Sequence, residues 1–368
     1  MSPPSREQLL RWIPLAVCGL LAAATMVIAK QVTYDPWSWQ VWARQLAFES
    51  SVGFDSGGAS GWKPLPVIVS IPFNWVGPSA APLAWVWLAR TGMFMIPVVA
   101  WRLGIRAAGL PGAVLASLCA AMLPGATVFL GGLTEPVAAL FLLLSVEAQV
   151  RDRARRSWGA GLLAVLGRPE VMAWVGPYGL WAVWKRKLEW YWFAAGLAGA
   201  SLLWVGGDWI GTGKPLGLFG KAQVSAEPQR LQAATHPGVE ILSHQVVPLA
   251  VVICATFAFI ASLVWREQVS RTLGAAAITS GLAIAVATEF GYPGVTRYMV
   301  PLVPCVFVLA GIGLGRLVGL LSSPPLRRGA LVVAGVGVVV LAGPLALERD
   351  RADWKWYAAR EVRINDLP

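Results

Sequence analysis

Long apolar stretches separated by short basic turns constrain this chain more than any other feature. Leu9 to Ala29, Leu133 to Val150, Val246 to Trp265 and Tyr298 to Leu314 approach the run of about 20 apolar residues that a hydrocarbon layer demands. They read as membrane helices, and further spans are expected at about 86–101, 107–129, 158–166, 170–184, 190–208, 272–288 and 330–346. Of the 368 residues 57% are hydrophobic and 13% charged, where soluble domains carry roughly a quarter charged. The expected fold is therefore an all-α polytopic membrane protein with about 11 transmembrane helices. Leu9 to Ala29 competes with a signal-peptide reading, but it is long and no small-x-small cleavage pattern follows Lys30. With no internal repeat or low-complexity linker, residues 1–346 read as one membrane domain followed by a short tail over 347–368.

The formal charge of +11 does not form the continuous basic stripe of a nucleic-acid binder, so no nucleic-acid partner is expected. Arg102 with Arg106, the run from Arg151 to Arg156, Lys185-Arg186-Lys187, Arg266 with Arg271, and Arg327-Arg328 fall on alternate turns. The positive-inside rule makes those turns cytoplasmic. The N-terminus is then cytoplasmic in a plasma (inner) membrane. The loops over 30–78 and 210–245 face the other side, and so does the tail. Cys18, Cys119, Cys254 and Cys305 lie within apolar spans, with neither a disulfide pattern nor metal-ligand spacing. They read as small buried hydrophobes. Tryptophan pairs such as Trp85 with Trp87 and Trp190 with Trp192 sit at span ends, as an interfacial aromatic belt would place them.

The first outer loop holds two pieces too short to span. Pro36 to Glu49 carries Trp39, Trp42, Ala43 and Leu46 at i, i+3, i+4 and i+7, an amphipathic helix expected along the membrane surface with both indoles at headgroup depth. Pro64 to Trp75 follows a Gly- and Ser-rich stretch, and its prolines argue for a second interfacial piece. The short helices flanking Arg168-Pro169-Glu170 start and end beside basic clusters, so their shared turn points outward within the protein. Irregular backbone at that depth is tolerated only where it is buried in protein or lines a cavity. Gly311, Gly315 and Gly319 form a small-xxx-small ridge for close helix packing.

Charges in or beside the bilayer are costly and are the default functional candidates. Asp35, Lys63, Arg90, Glu135, Arg168, Glu170, Glu289 and Arg297 all map to the outer half or its boundary. Asp35 could take a proton from an acceptor hydroxyl or cap the following helix with Pro36 at its first position. Lys63 either meets a lipid phosphate or snorkels. Arg168 and Arg297 offer guanidinium forks suited to phosphate, or ion pairs with Glu170, Glu135 or Glu289. Glu135, before Pro136, is a helix-start residue or a ligand-binding one. Arg90 orients a helix end. His236 and His244 lie in the second outer loop without metal-ligand spacing and read as solvated.

The order of motifs resembles the GT-C superfamily of polyprenyl-phosphate-sugar-dependent glycosyltransferases, which includes protein mannosyltransferases, the aminoarabinose transferases of lipid A, and actinobacterial mannosyl- and arabinofuranosyltransferases. The matching elements are Asp35 in the first outer loop, Lys63-Pro64-Leu65-Pro66, Gly77-Pro78-Ser79, Arg90, Thr134-Glu135-Pro136, Arg168-Pro169-Glu170 and Arg297-Tyr298-x-x-Pro301. The resemblance implies a GT-C-like bundle with extracytoplasmic juxtamembrane helices. It also implies an inverting hexosyl- or pentosyltransferase that takes a polyprenyl-phosphate-linked sugar to a lipid, glycan or protein acceptor of the cell envelope. Asp35 would be the general base, and Lys63, Arg168, Arg297 and Tyr298 would bind the donor phosphate. Tyr34, Trp37, Trp62, Glu135, Glu170, Glu289, His236 and His244 would support them or bind substrate. Asp35 is followed by Pro36 where many relatives carry a second acidic residue, so a divalent metal stays open without a paired acidic motif to support it, and no cofactor is certain. A short tail in place of a soluble domain favours a lipid-linked or small glycan acceptor. A transporter or flippase of lipid-linked anionic intermediates would share an outward cation-lined cavity, but such proteins often show interrupted helices in both of two related halves, and only one interruption is visible.

Overall fold

The computed structural model describes residues 6–28, 31–49, 53, 61–77, 79–123, 131–215, 234–243, 247–292, 296–299, 302–340 and 362–363. Helices dominate. α1 (Arg6–Ile28) leads through a two-residue strand β1 (Gln31–Val32) into α2 (Tyr34–Phe48) and α3 (Pro64–Asn74). The bundle proper follows as α4 (Ala80–Ala121), α5 (Glu135–Val150), α6 (Ala154–Gly167), α7 (Met172–Trp184) and α8 (Trp190–Ser201). A π-helical segment, Leu202–Gly206, joins α8 to α9 (Gly207–Thr212). Then come α10 (Pro237–Ser243), α11 (Leu249–Trp265), α12 (Gln268–Glu289), α13 (Val303–Gly319) and α14 (324–340). Strand β2 (Val362–Arg363) pairs antiparallel with β1. The chain end thus meets the start of the first loop, on the side the sequence assigns to both.

Among the described residues three helices are long and apolar enough to cross a membrane: α4, the run Trp190–Thr212, and α12. Trp190–Thr212 buries 11% of its most apolar stretch against the protein. An apolar helix left that bare in water would be an association site; in lipid it is at rest. Exposed Trp190, Tyr191 and Trp192 at its start fit the aromatic belt expected there.

Glycine sets the tightest helix contact. A Cβ on Gly311 would overlap the Ala116 backbone, and one on Gly315 would overlap Gly112, so α13 lies against the second half of α4 at backbone distance. The third member of the expected ridge, Gly319, faces open space. Arg90 is fully buried and donates to the Thr25 hydroxyl at 3.2 Å, which ties α4 to the last turn of α1.

Several elements differ from the sequence expectation. The two helices expected at 86–101 and 107–129 are both present within α4, with their boundary moved to non-helical backbone at Ala108 and Gly109, where Gly109 takes φ +64° two residues before Pro111. Basic residues at 102 and 106 do not stop a helix; a left-handed glycine followed by proline does. The segment expected to sit at headgroup depth is protein core: Trp39, Trp42 and Ala43 on α2 are buried against Trp62, Val67 and Leu133, while Leu46 is exposed. The apolar face was located correctly, but α3 covers it in place of lipid. Trp85 is likewise buried and donates to the Gly132 carbonyl. Helix α10, within the segment 210–245, is an element that the sequence reading does not predict. The short-span pair around Arg168 is present, with α6 starting four residues earlier than expected. Three of the four cysteines are buried and Cys254 partly so, and all four are free thiols.

Candidate active site

Four of the expected charged residues stand immediately before a proline: Asp35, Lys63, Glu135 and Arg168. Proline disfavours the helical conformation in the residue before it and is well suited to a helix's first turn. Lys63 accordingly caps α3 in an extended conformation (φ −139°, ψ 111°). Arg168 ends α6 in the same region (φ −149°, ψ 106°), and Pro169 starts a 3-10 turn through Val171. Each cation is thereby fixed at a helix boundary by backbone sterics. Glu135 and Pro136 open α5, where a carboxylate suits the positive end of the helix dipole.

These residues meet. Lys63 Nζ donates to Thr134 Oγ1 at 2.9 Å and stands 4.9 Å over the Trp39 ring. Thr134 Oγ1 lies 3.5 Å from Glu135 Oε2, and Arg168 Nη2 donates to Glu135 Oε1 at 2.7 Å. The Arg168 guanidinium lies 4.9 Å over the Tyr298 ring and 3.9 Å from Glu170 Oε1. The Tyr292 hydroxyl donates to that same Glu170 oxygen at 3.1 Å, and its ring lies 5.5 Å from Tyr298. Burial raises the Tyr292 hydroxyl pKa well above that of an ordinary phenol, and the neighbouring Glu170 carboxylate raises it further. Tyr292 therefore stays a donor. Lys63, Thr134, Glu135 and Arg168 are all buried, with relative exposures of 6%, 0%, 0% and 2%. Buried charge is stable only when paired and hydrogen-bonded, and this chain of contacts supplies that pairing from residues as far apart as 63 and 298.

The surrounding wall is aromatic. Trp39 donates to the Gly61 carbonyl at 3.1 Å and packs edge-on against Trp85. Trp62 packs on Trp42 and donates to the Leu203 carbonyl at 2.8 Å. Leu203 lies in the π-helical segment, where irregular hydrogen bonding suits a carbonyl to an outside partner. Gly207 lets α9 approach Trp62, since a Cβ there would overlap the indole.

The other expected residues fall in different places. Asp35 lies inside the first turn of α2, after the N-cap Thr33, so it does not cap the helix. It is partly exposed. It precedes Trp39 by one helical turn, a same-face spacing of roughly 5–6 Å between Cβ atoms, and Trp39 in turn covers Lys63. Trp37 packs towards Val32 and Val86, away from the cluster. Glu289 accepts from the Gly238 backbone at 2.8 Å and pairs with His236 Nδ1 at 3.3 Å. This second cluster docks α10 on the end of α12, three residues before Tyr292, and gives His236 a partner. Arg297 lies in the 3-10 turn Thr296–Met299, but its side chain and that of Tyr34 are outside the described residues, as is all of His244. Among the described residues no three His, Cys, Asp or Glu side chains are grouped to hold a metal ion.

Opposite charges gather at the far end of the same helices. Glu147 pairs with Arg102 and Arg151 at 2.7 and 2.6 Å, Lys187 with Asp152 at 2.6 Å, Arg155 with Glu189, and Arg316 with Glu267 at 2.7 Å. From Glu135 to Glu147 α5 rises about 18 Å. The Lys63–Arg168 cluster and the basic turns therefore occupy opposite ends of the bundle.

No protein-family model and no curated protein matches this chain. Solved structures do. ArnT from Cupriavidus metallidurans, solved bound to undecaprenyl phosphate, superposes with a TM-score of 0.53 at 16% identity over 91% of this chain. The oligosaccharyltransferase of Archaeoglobus fulgidus, in its apo form, superposes with a TM-score of 0.50 at 11% identity over 92%. The fold is the GT-C fold. This chain spans 64% of the first protein's length and 55% of the second's. GT-C architecture and bare apolar helices together make the chain a multi-pass membrane protein.

Proposed function

We propose that this chain is an inverting membrane glycosyltransferase that moves a sugar from a polyprenyl-phosphate carrier to a hydroxyl acceptor. The observation that carries the reading is the buried convergence of Lys63 and Arg168 on Thr134–Glu135, inside a GT-C fold. Two cations held at adjoining helix boundaries, walled by Trp39 and Tyr298, suit a phosphate leaving group. The reading assigns Arg297, next to Tyr298 in the sequence, as a third cation for the phosphate.

In the transfer, the acceptor hydroxyl oxygen attacks the sugar's anomeric carbon opposite the phosphate. Asp35 takes the hydroxyl proton as the new bond forms. The bond from the anomeric carbon to the phosphate oxygen breaks, its electron pair stays on phosphate, and Lys63 and Arg168 stabilise the charge that develops there. The configuration at carbon inverts.

Orientation follows from charge. With the basic turns at one end of the bundle and this cluster at the other, the positive-inside rule puts the site on the extracytoplasmic face. About 11 spans, with α2 and α3 lying along the outer surface, complete the arrangement. A polyprenyl carrier would lie along the lipid-facing side with its phosphate at the cluster. Acceptors of the cell envelope, lipid-linked or small glycans first, fit a chain whose described outer residues form short elements.

The decisive variant is Asp35→Asn. Transfer from a polyprenyl-phosphate donor should fall by roughly 10²–10⁴, the usual worth of a positioned general base, while donor binding stays near that of the parent protein. Transfer at the parent rate would remove Asp35 from the chemistry.

A further inference from the structure

Glu135 stands where phosphate oxygens would stand. Its Oε1 takes the Arg168 guanidinium at 2.7 Å, and its Oε2 faces the Thr134 hydroxyl that Lys63 holds at 2.9 Å. One wholly buried carboxylate thus holds Arg168 directly and reaches Lys63 through the Thr134 hydroxyl. Glu170 touches the same arginine more distantly, at 3.9 Å, and is tethered by the Tyr292 hydroxyl. Counted without Arg297, whose side chain lies outside the described residues, Lys63, Arg168, Glu135 and Glu170 sum to zero formal charge. A phosphate added to that neutral set meets like-charge repulsion unless a carboxylate gives up its contact, and Glu135 holds the contact a phosphate would take.

The chemistry of the carrier makes this consequential. A sugar-bearing phosphodiester carries one negative charge, whereas the spent monoester carries roughly 1.5 to 2 at neutral pH. A site of two unopposed cations would hold the product more tightly than the substrate. We propose that Glu135 is an internal competitor for the carrier phosphate, which returns to Arg168 after transfer and drives release of the spent polyprenyl phosphate. This assignment rests on the glycosyltransferase reading above. It makes Glu135 a residue that sets carrier affinity and turnover without touching the sugar.

Glu135→Gln tests it, because glutamine keeps the size and the hydrogen-bond acceptor while removing the charge. Binding of polyprenyl phosphate to the purified full-length chain in detergent is measured by competition, alongside steady-state transfer. The variant should bind polyprenyl phosphate at least tenfold more tightly and lose steady-state turnover, with stronger inhibition by added polyprenyl phosphate. Equal or weaker binding would overturn the proposal. Glu135→Asp draws the charge back from Arg168 by one methylene and should tighten binding less; if E135Q does not fold, unchanged binding in E135D overturns the proposal equally. Lys63→Gln and Arg168→Gln separate this assignment from the reading beneath it. If they weaken phosphate binding and E135Q does not strengthen it, Glu135 alone loses its role. If neither weakens it, the carrier phosphate is not bound at this cluster and both readings fall.

Discussion

Arg168 differs from a generic cation in what holds it. Pro169 fixes its backbone, Glu135 takes one edge of its guanidinium, and the Tyr298 ring lies 4.9 Å beneath it. Lysine would keep the charge and lose both the planar fork and the stacking. Arg168→Lys should therefore weaken polyprenyl-phosphate binding by roughly ten- to a hundredfold, the worth of one hydrogen bond to a charged group, in a competition assay; unchanged affinity would mean that charge alone suffices. Much of this cluster was legible in the sequence, because ionisable side chains in an apolar chain are few and expensive. Lys63, Glu135, Arg168, Glu170 and Tyr298 stand out as charges or beside one, and the fold brings all five together. Thr134 was visible only as part of the Thr134-Glu135-Pro136 element, with no role of its own, and Tyr292 was not singled out at all. They are neutral, and their roles exist only once segments 63, 134, 168 and 292 meet, which no local pattern encodes. His236 is exposed, as a solvated loop histidine would be, but its contact with Glu289 likewise depends on a helix, α10, that the loop composition did not announce.

At the scale of elements, periodicity identifies which face of a helix is apolar but not what covers it. Trp39, Trp42 and Ala43 form the face that the spacing predicts, and the cover is α3 with Trp62, so Trp39 stands under Lys63 and Trp42 packs on Trp62 rather than anchoring the helix in headgroups. The glycine ridge shows the same limit. Gly311 and Gly315 meet the α4 backbone, while the identically spaced Gly319 meets nothing, because α4 has already broken at Gly109. Gly311→Val should destabilise the protein by about 1–3 kcal/mol or more through overpacking, and Gly319→Ala should leave it within about 0.5 kcal/mol of the parent. Thermal unfolding in detergent reads both, and equal losses would contradict the packing described here. Trp62→Phe keeps an aromatic ring but removes the donor to Leu203 and part of the buried indole, which should cost about 1 kcal/mol for the hydrogen bond and more for the lost packing in the same measurement.

For the whole molecule, the separation of charge between bundle ends is the organising fact. The basic turns were legible as topology signals, and the ion pairs around Glu147, Asp152, Glu189 and Glu267 show that they share one end. Arg156 and Thr235 are both exposed. In a cysteine-free background, a thiol placed at Arg156 should react with a membrane-impermeant reagent only from the cytoplasmic side, and one at Thr235 only from the outside. Labelling of both from one side would contradict the orientation. The central claim, that Lys63 and Arg168 receive a lipid-linked phosphate at the end opposite the basic turns, is tested most directly by a density map of this chain with bound polyprenyl phosphate. The account predicts the phosphate within hydrogen-bonding distance of Lys63 Nζ and the Arg168 guanidinium, with Glu135 drawn away from Arg168. A phosphate lodged at the basic turns, or density that leaves the Lys63–Thr134–Glu135–Arg168 contacts untouched, would contradict it.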